Sequence, residues 1–247
     1  MSKIVKKKLV DIISEKFEIT INEAEKQIRC GNVTINSEKI FLPLLKFDEN
    51  LPVELLNQKE YVSRGAYKLL KALKIFNIDV KNKICVDLGS STGGFVQVLL
   101  KHNAKKVYAV DVGTNQLDYS LRINPNVVVF EQTNLKDLTT THFNEMIDIF
   151  TCDVSFISLK YVFGTLKKIA NPNSEIILLI KPQFEASSKY VSAGGYVEEK
   201  YHPFLIDRVK EYGKQEGFEC VSVEQSPILG QKSKNIEYIS LFKKTKE

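Results

Sequence analysis

The sequence predicts an α/β protein with a doubly wound sheet, preceded by a small α+β unit. Short apolar runs typical of buried strands alternate with amphipathic segments through residues 63–247, which is the order expected of repeated βαβ units. A last apolar run near the end of the chain would complete a seven-stranded sheet. The seven predicted strands are Lys83–Leu88, Lys106–Asp111, Val127–Phe130, Ile147–Cys152, Ile176–Ile180, Val221–Glu224 and Ile236–Phe242.

Residues 1–58 predict a separate unit of two helices and a hairpin. Apolar residues at helical spacing predict a first helix within Lys3–Phe17, and a capping box that begins at Thr20 predicts a second helix through Cys30. Val33–Ile35 and Ile40–Leu42 then predict two short strands around a turn.

The composition excludes several classes of protein. The longest aliphatic run, Ile176–Ile180, is far shorter than the roughly 20 residues that span a bilayer. The N-terminus lacks the continuous apolar core of a signal peptide. The four cysteines are widely spaced, which favours free thiols, and neither they nor the three histidines have metal-ligand spacing. We therefore expect a cytoplasmic protein without a membrane segment or a metal site.

The net charge of +5 is concentrated between the two predicted units. Residues 59–62 are expected to form a linker, and Ser63 is a candidate N-cap for the following helix. Arg64, Lys68 and Lys71 are spaced by four and three residues, so a helix would place them on one face. A solvated surface helix explains this charge as well as nucleic-acid binding does.

A glycine-rich segment after the first strand of the sheet predicts a cofactor loop, because glycines allow a tight turn and close approach of a ligand. The segment is not G-x-G-x-x-G, and its leading carboxylate, Asp87, suits an amino group better than a pyrophosphate. The next strand ends at Asp111, 22 residues after Gly89, where a carboxylate can accept ribose hydroxyls. The predicted contacts are Asp87, Gly89, Ser90, Ser91, Thr92, Gly93, Gly94, Phe95, Asp111, Val112, Asn134, Leu135, Asp137 and Asp153.

This combination favours S-adenosylmethionine as the cofactor over a nicotinamide dinucleotide. The alternatives for single residues are ordinary ones: Gly93 and Gly94 could be packing glycines, and Asp137 could cap a turn.

Four ionisable residues are predicted to meet at one edge of the sheet. Asp153 and Lys181 each follow an apolar run, and the carboxyl ends of parallel strands line the ligand cleft. Glu237 would reach the same edge if the last strand runs antiparallel, and Lys68 lies on the early helix. Two lysines and two carboxylates indicate proton transfer at a hydroxyl rather than metal binding. Lys181 is the candidate base, although a free lysine has a pKa near 10.4.

Lys68, Asp153, Lys181 and Glu237 resemble, in order and context, the K-D-K-E tetrad of FtsJ-like RNA ribose 2′-O-methyltransferases. The wider motifs are similar to the TlyA family, and residues 1–58 resemble the RNA-binding domain named for ribosomal protein S-four. Family members have also carried the label hemolysin. The TlyA-like motifs are Tyr61–Leu69, Asp111–Gly113 with Gln116 and Leu117, Asp153–Ser158, Lys181–Glu185 and Ser226–Glu237.

The resemblance implies a Rossmann-like seven-stranded methyltransferase sheet over residues 63–247, with a small N-terminal α+β RNA-binding domain over residues 1–58. It implies a monomeric cytoplasmic enzyme that uses S-adenosylmethionine to methylate cytidine ribose in 16S or 23S ribosomal RNA, within assembled subunits. The N-terminal unit has equal numbers of acidic and basic residues, so RNA binding would depend on local clusters of cations. The candidate RNA-binding residues are Lys6, Lys7, Lys8, Lys26, Arg29, Lys39, Arg64, Lys71, Lys232 and Lys234.

The stretch Gln183–Val197 is long and contains Gly194 and Gly195, which favours a mobile lid or a disordered loop. Other functions stay open at this point. A small-molecule O-methyltransferase has no need of an RNA-binding unit, and a non-catalytic ribosome-binding factor has no need of the four ionisable residues. A cytolysin is a remote third alternative.

Overall fold

A computed structural model describes residues 6–56, 60–231 and 233–245. The chain divides into two compact units. The first comprises Met1–Glu60 together with Asp118–Ile123, and the second comprises Tyr61–Leu117 together with Asn124–Glu247.

The first unit packs two helices on short strands. The elements are β1 (Lys6–Lys8), α1 (Leu9–Phe17), α2 (Ile21–Arg29), β2 (Val33–Ile35), β3 (Glu38–Lys39), β4 (Lys46–Asp48) and β5 (Val53–Leu55). β2 pairs with β3 and β5 in one antiparallel sheet, and β1 pairs with β4 in another. The core of the unit is formed by aliphatic side chains of both helices and of β2, such as Leu9, Ile13, Ile28 and Val33.

Two details of the predicted N-terminal unit are wrong. Lys6–Lys8 form a strand rather than the start of a helix, because they pair with Lys46–Asp48 and the buried apolar spacing begins only at Leu9. The second strand of the hairpin is Glu38–Lys39 rather than Ile40–Leu42. The two residues before it, Asn36 and Ser37, both have positive φ angles, and this tight turn returns the chain at once.

The second unit contains the predicted seven-stranded sheet. Its strands are β6 (Ile84–Leu88), β7 (Lys106–Val110), β8 (Val127–Phe130), β9 (Ile149–Cys152), β10 (Glu175–Ile180), β11 (Phe218–Gln225) and β12 (Tyr238–Lys244). They lie in the order β11-β12-β10-β9-β6-β7-β8. The five strands from β10 to β8 in this order are parallel, and β12 runs antiparallel to both of its neighbours. The α/β fold class and the antiparallel last strand are thus confirmed.

Helices connect most of these strands, and their apolar faces complete a core around Phe150, Phe163 and Phe242. The helices are α3 (Ala66–Ile75), α4 (Gly94–Lys101), α6 (Leu159–Ile169), α7 (Pro182–Glu185) and α8 (His202–Gln215), with α5 (Tyr119–Arg122) grouped in the first unit. Within the described ranges, no helix is long and apolar enough to cross a bilayer.

The start of α3 differs from the prediction. The helix begins at Ala66 with Gly65 as its N-cap, so Ser63 does not cap it. Ser63 instead lies against the beginning of α4: a Cβ atom added to Gly94 would come within 2.2 Å of Ser63 Oγ and 3.2 Å of the Ala66 nitrogen. Gly94 therefore permits the close approach of α3 and α4.

We expect Gly94→Ala to destabilise the protein by about 1–3 kcal/mol, because the added methyl group has no space and overpacking has this order of cost. Urea unfolding measures the change. Gly164→Ala is the matched control, since a Cβ atom at this helical glycine meets nothing within 4 Å. An equal stability of both variants would contradict the close packing of α3 on α4. Removing the hydroxyl as well, in Ser63→Ala with Gly94→Ala, should recover part of the loss.

Candidate active site

The sheet brings the four predicted catalytic residues to one edge. Asp153 directly follows β9 and Lys181 directly follows β10, so both lie at the carboxyl ends of parallel strands. Glu237 directly precedes β12, and the antiparallel direction of β12 places its start at the same edge. Lys68 projects from the first turn of α3.

The four side chains form one connected network. Lys68 Nζ donates hydrogen bonds to Asp153 Oδ2 at 3.0 Å and to Glu237 Oε2 at 2.7 Å. Lys181 Nζ lies 2.7 Å from Asp153 Oδ1 in an ion pair, and donates to Ser155 Oγ at 3.1 Å. The Asp153 carboxylate thus bridges the two lysines, one at each oxygen.

Because these side chains are buried, their charged forms are stabilised by one another rather than by water. Lys68 and Lys181 are each 7% exposed and Glu237 is 4% exposed. Burial alone would raise the pKa of Asp153, but the adjacent charges of Lys181 and Lys68 hold that pKa below its ordinary value. Burial opposes the charge of Lys68 as well, but Asp153 and Glu237 together raise the pKa of its ammonium group. Both groups are therefore ionised at neutral pH.

The arrangement leaves hydrogen-bonding capacity beside Lys181. An ammonium group has three N–H donors, and Ser155 Oγ is the acceptor of one of them. A second N–H faces Asp153 Oδ1, the ion-pair partner 2.7 Å away. A hydroxyl group that approaches Lys181 would therefore meet the remaining donor.

The glycine-rich segment forms a tight loop between β6 and α4. Gly89 and Gly93 have φ angles of +79° and +94°, which glycine adopts without strain. Asp111 holds the loop in place: its Oδ2 accepts from the Ser91 N–H at 2.8 Å and its Oδ1 accepts from the Gly113 N–H at 2.7 Å. Each carboxylate oxygen keeps a further acceptor position, which is the chemistry that a ribose diol requires.

Asp87, the acid that leads this loop, is buried beneath it. Thr151 Oγ1 donates to Asp87 Oδ1 at 2.7 Å. Burial raises the pKa of Asp87 to about 7, against the lowering effect of the Thr151 hydrogen bond and with the help of the nearby charges of Asp153 and Asp111. Asp87 thus titrates near neutral pH.

The other predicted cofactor residues divide by exposure. Phe95 and Leu135 are buried, and the Leu135 side chain packs in the main hydrophobic core. Asn134 is exposed, accepts a hydrogen bond from the Lys136 N–H and opens a 3-10 turn over Leu135–Asp137. Ser90, Gly93 and Gly94 are buried, whereas Ser91, Thr92, Val112 and Asp137 are exposed.

The predicted RNA-binding cations of the first unit fall into two groups, those in ion pairs and those without an ion pair among the described residues. In the first unit, Lys7 pairs with Glu15 and Glu49, Lys26 with Glu23, and Arg29 with Glu25. Lys6, Lys8 and Lys39 are exposed and form no ion pair within the described residues.

Two of the predicted RNA-binding cations in the second unit donate hydrogen bonds to backbone carbonyls of the same unit. Arg64 donates to the Leu229 carbonyl at 3.1 Å and Lys71 to the Gln225 carbonyl at 2.7 Å. Arg64 precedes α3, which begins at Ala66, so the predicted helical face of three cations holds only for Lys68 and Lys71. Lys234 is exposed, and Lys232 lies outside the described residues.

Two site features were not predicted as such. Phe156 has a φ angle of +64° and is 84% exposed, and its ring lies 5.1 Å from that of Phe184, centroid to centroid. A bulky residue in this conformation is rare and points to a local role. Ser155 is the other feature, as the acceptor for Lys181. Both residues stand in the motif that starts at Asp153, but nothing in the sequence indicates a positive φ angle.

The predicted lid is hydrogen-bonded to the segment that carries Glu237. Asn235 Nδ2 donates to the Gly195 carbonyl at 2.8 Å, and Asn235 Oδ1 accepts from the Val197 N–H at 2.9 Å. Within Gln183–Val197 the chain forms most of α7 and two 3-10 turns.

Comparison with known proteins identifies the family. A family model described as FtsJ-like methyltransferase matches residues 61–244. The chain belongs to the FtsJ-like methyltransferase family. This confirms the family predicted from the tetrad and makes the protein a methyltransferase.

Relatives match over most of the chain. Hemolysin A of Brachyspira hyodysenteriae is 41% identical, covering 93% of this chain and 96% of that protein. A Mycobacterium tuberculosis protein named 16S/23S rRNA (cytidine-2'-O)-methyltransferase TlyA is 37% identical, covering 87% of this chain and 81% of its own. A solved chain from Streptococcus thermophilus is 35% identical with a TM-score of 0.74, covering 99% of this chain and 90% of that one.

The pKa of Asp87 leads to a prediction about stability. A carboxyl group whose pKa is higher in the folded protein binds more protons when folded, so stability falls as the pH rises from about 4 to about 7. Asp87→Asn should reduce this fall, because the amide keeps the acceptor for Thr151 and does not titrate. Urea unfolding across this pH range measures the difference.

Glu219→Gln is the control for charge removal, since Glu219 lies exposed on β11. The pKa of Glu185 is also raised by burial, so the comparison between variants matters rather than the slope of the wild type. Parallel pH profiles for wild type and Asp87→Asn would contradict the titration of Asp87.

Proposed function

We propose that this methyltransferase transfers a methyl group from S-adenosylmethionine to the 2′-hydroxyl of a cytidine in ribosomal RNA of the small subunit, the large subunit or both. The observation that carries the proposal is the buried network of Lys68, Asp153, Lys181 and Glu237, at the same sheet edge as the glycine loop and Asp111. The name of the Mycobacterium tuberculosis relative supports the substrate. We further propose that the enzyme acts in the cytoplasm, as a monomer, on assembled subunits.

The residues present suit the cofactor. Bound S-adenosylmethionine supplies a methyl group activated by a sulfonium ion. Asp111 would accept the ribose hydroxyls, because both of its oxygens keep acceptor positions toward a ligand. The Gly89–Gly93 loop permits close approach, and Asp87, when ionised, favours an amino group beneath the loop. Asn134 and Asp137 would border the adenine.

Lys181 is the residue that meets the target hydroxyl. Its remaining N–H donor can orient the ribose oxygen, and Asp153 holds the side chain in place. As the methyl group is transferred the hydroxyl must lose its proton, and the neutral amine of Lys181 is the acceptor that we propose for it. Lys68 neutralises the second oxygen of Asp153 and fixes Glu237. Positioning of this kind supplies a large part of a catalysed rate.

Phe156 suits an unstacked base. RNA bases in loops are recognised by stacking on aromatic rings, and a target nucleotide is turned out of its stack. Phe156 presents an exposed ring one residue beyond Ser155, and Phe184 supports it. In the N-terminal unit, we propose that the exposed cations Lys6, Lys8 and Lys39 bind phosphates.

Methyl transfer to ribosomal subunits tests the function directly. Subunits purified from cells that lack the enzyme are incubated with radiolabelled S-adenosylmethionine, and alkali-resistant label in rRNA indicates a 2′-O-methyl group. We expect Lys181→Ala to lose about 10²–10⁴-fold in rate, the usual worth of a group that transfers a proton. Lys74→Ala, an exposed lysine on α3, is the control that should keep full activity.

Two results would contradict this proposal. Undiminished label with Lys181→Ala would remove Lys181 from the reaction. Absence of label on either subunit or on free rRNA, together with measurable cofactor binding, would favour a non-catalytic ribosome-binding factor.

Phe156→Ala should weaken the use of RNA without affecting the cofactor. Loss of one base-stacking contact costs about 1–3 kcal/mol, so kcat/KM for RNA should fall by about 5- to 150-fold. The dissociation constant for S-adenosylmethionine, measured by calorimetry, should not change. Tyr161→Ala, another exposed aromatic residue, is the control. A fall in cofactor affinity instead of kcat/KM would show that Phe156 serves the cofactor site.

A further inference from the structure

Glu185 is a buried carboxylate that the proposed reaction does not use. It is the last residue of α7 and is 5% exposed. Its Oε1 accepts a hydrogen bond from the Leu159 N–H at 2.8 Å, and its Oε2 accepts one from Ser158 Oγ at 2.7 Å. Both partners stand at the beginning of α6, in another part of the chain.

These two hydrogen bonds join the two loops that carry the reactive groups. On one side, α7 begins directly after Lys181 and contains Phe184. On the other side, α6 begins directly after the segment that contains Asp153 and Phe156. The carboxylate of Glu185 therefore links the two loops. We call its hydrogen bonds to Ser158 Oγ and the Leu159 N–H the Glu185 bracket.

The backbone of Glu185 is held in place as well. Arg208 Nη1, on α8, donates to the Glu185 carbonyl at 2.8 Å. Because α7 is a single turn with Lys181 as its N-cap, a shift of Glu185 would shift Lys181 with it.

Glu185 also serves the beginning of α6. Ser158 is the N-cap of α6 and accepts a hydrogen bond from the Lys160 N–H at 3.2 Å, while Glu185 accepts from the Leu159 N–H, which has no acceptor within the helix. Burial raises the pKa of Glu185, while the Leu159 N–H, the Ser158 hydroxyl and the charge of Arg208 oppose the rise. An apolar side chain at this position would leave the buried Leu159 N–H without an acceptor, so the beginning of α6 depends on a group supplied by the loop after β10.

We propose that Glu185 is a positioning residue, which holds Lys181 and Phe184 in register with Asp153 and Phe156. This inference rests on the proposed methyl transfer. It requires that loss of the bracket lowers the rate of the chemical step more than it lowers binding of the cofactor, since Asp153 alone of the predicted cofactor residues lies in one of the two joined loops.

Two variants at one position separate positioning from charge. Glu185→Ala removes both hydrogen bonds, and we expect kcat to fall by about 10²-fold, the cost that a misplacement of about 1 Å can have. Glu185→Gln can still accept from the Leu159 N–H and can donate to Ser158 Oγ, so its kcat should stay within about threefold of wild type. The dissociation constant for S-adenosylmethionine should be unchanged in both variants.

Ser174→Ala is the control for lost stability. Ser174 is buried at the start of β10, and its Oγ donates to the Ile147 carbonyl at 2.7 Å, so the variant loses a buried link at the other end of the same strand. Urea unfolding ranks all variants, and rates are measured where each is fully folded. Should Glu185→Ala fail to fold, Ser158→Ala, which removes one of the two contacts from the other side, should lower kcat in the same direction.

A fluorescent reporter tests the bracket independently of activity. The chain contains no tryptophan, so Phe156→Trp introduces a single one beside the two loops. Its fluorescence anisotropy should fall when Glu185→Ala is added and should not change with Ser174→Ala.

The outcomes are distinct. Wild-type kcat in fully folded Glu185→Ala, a loss no greater than that of Ser174→Ala, or a Glu185→Gln variant as slow as Glu185→Ala would each overturn the inference. Failure of the wild type to methylate any RNA would instead overturn the proposed function, and the anisotropy comparison would still decide whether Glu185 orders the loops.

Discussion

The second unit depends on one constraint, the burial of two lysines and two carboxylates in contact. An unpaired charge in a protein interior costs several kcal/mol, and removal of one partner from a buried pair is strongly destabilising. Asp153 supplies one oxygen to each lysine, and Glu237 completes the neutralisation of Lys68. The network is stable only if α3, β9, β10 and β12 all deliver their residues to the same edge.

The antiparallel direction of β12 follows from this constraint. β12 has seven residues, from Tyr238 to Lys244, and a strand of that length spans roughly 23 Å. A parallel β12 would carry Glu237 to the opposite edge of the sheet and leave Lys68 with one partner. Arg64, just before α3, and Lys71, within it, secure the same arrangement, because they hold the chain from Gln225 to Leu229 that leads toward Glu237.

The features that the sequence predicts well are those with local determinants. Apolar runs locate every strand of the large sheet to within about three residues, and the residues that directly follow a run lie at the carboxyl edge. A feature that depends on a distant partner is not predicted: Lys6–Lys8 form a strand only because Lys46–Asp48 pair with them. The bonds of Glu185 to Ser158 and Leu159 and the left-handed backbone of Phe156 are likewise products of tertiary packing.

The site combines a fixed part with a strained one. The hydrogen bonds of Lys68 and the ion pair of Lys181 hold these groups in one arrangement, so a substrate hydroxyl meets groups that need little rearrangement. Phe156 is different, because its backbone is strained and its ring is largely exposed. Such a conformation persists only if its surroundings impose it. Ser155 is bound by Lys181 on one side, and Ser158 is bound by Glu185 on the other. Both ends of the segment between them are therefore held by side chains of the loop after β10. A movement of Lys181 would consequently change the position of Phe156.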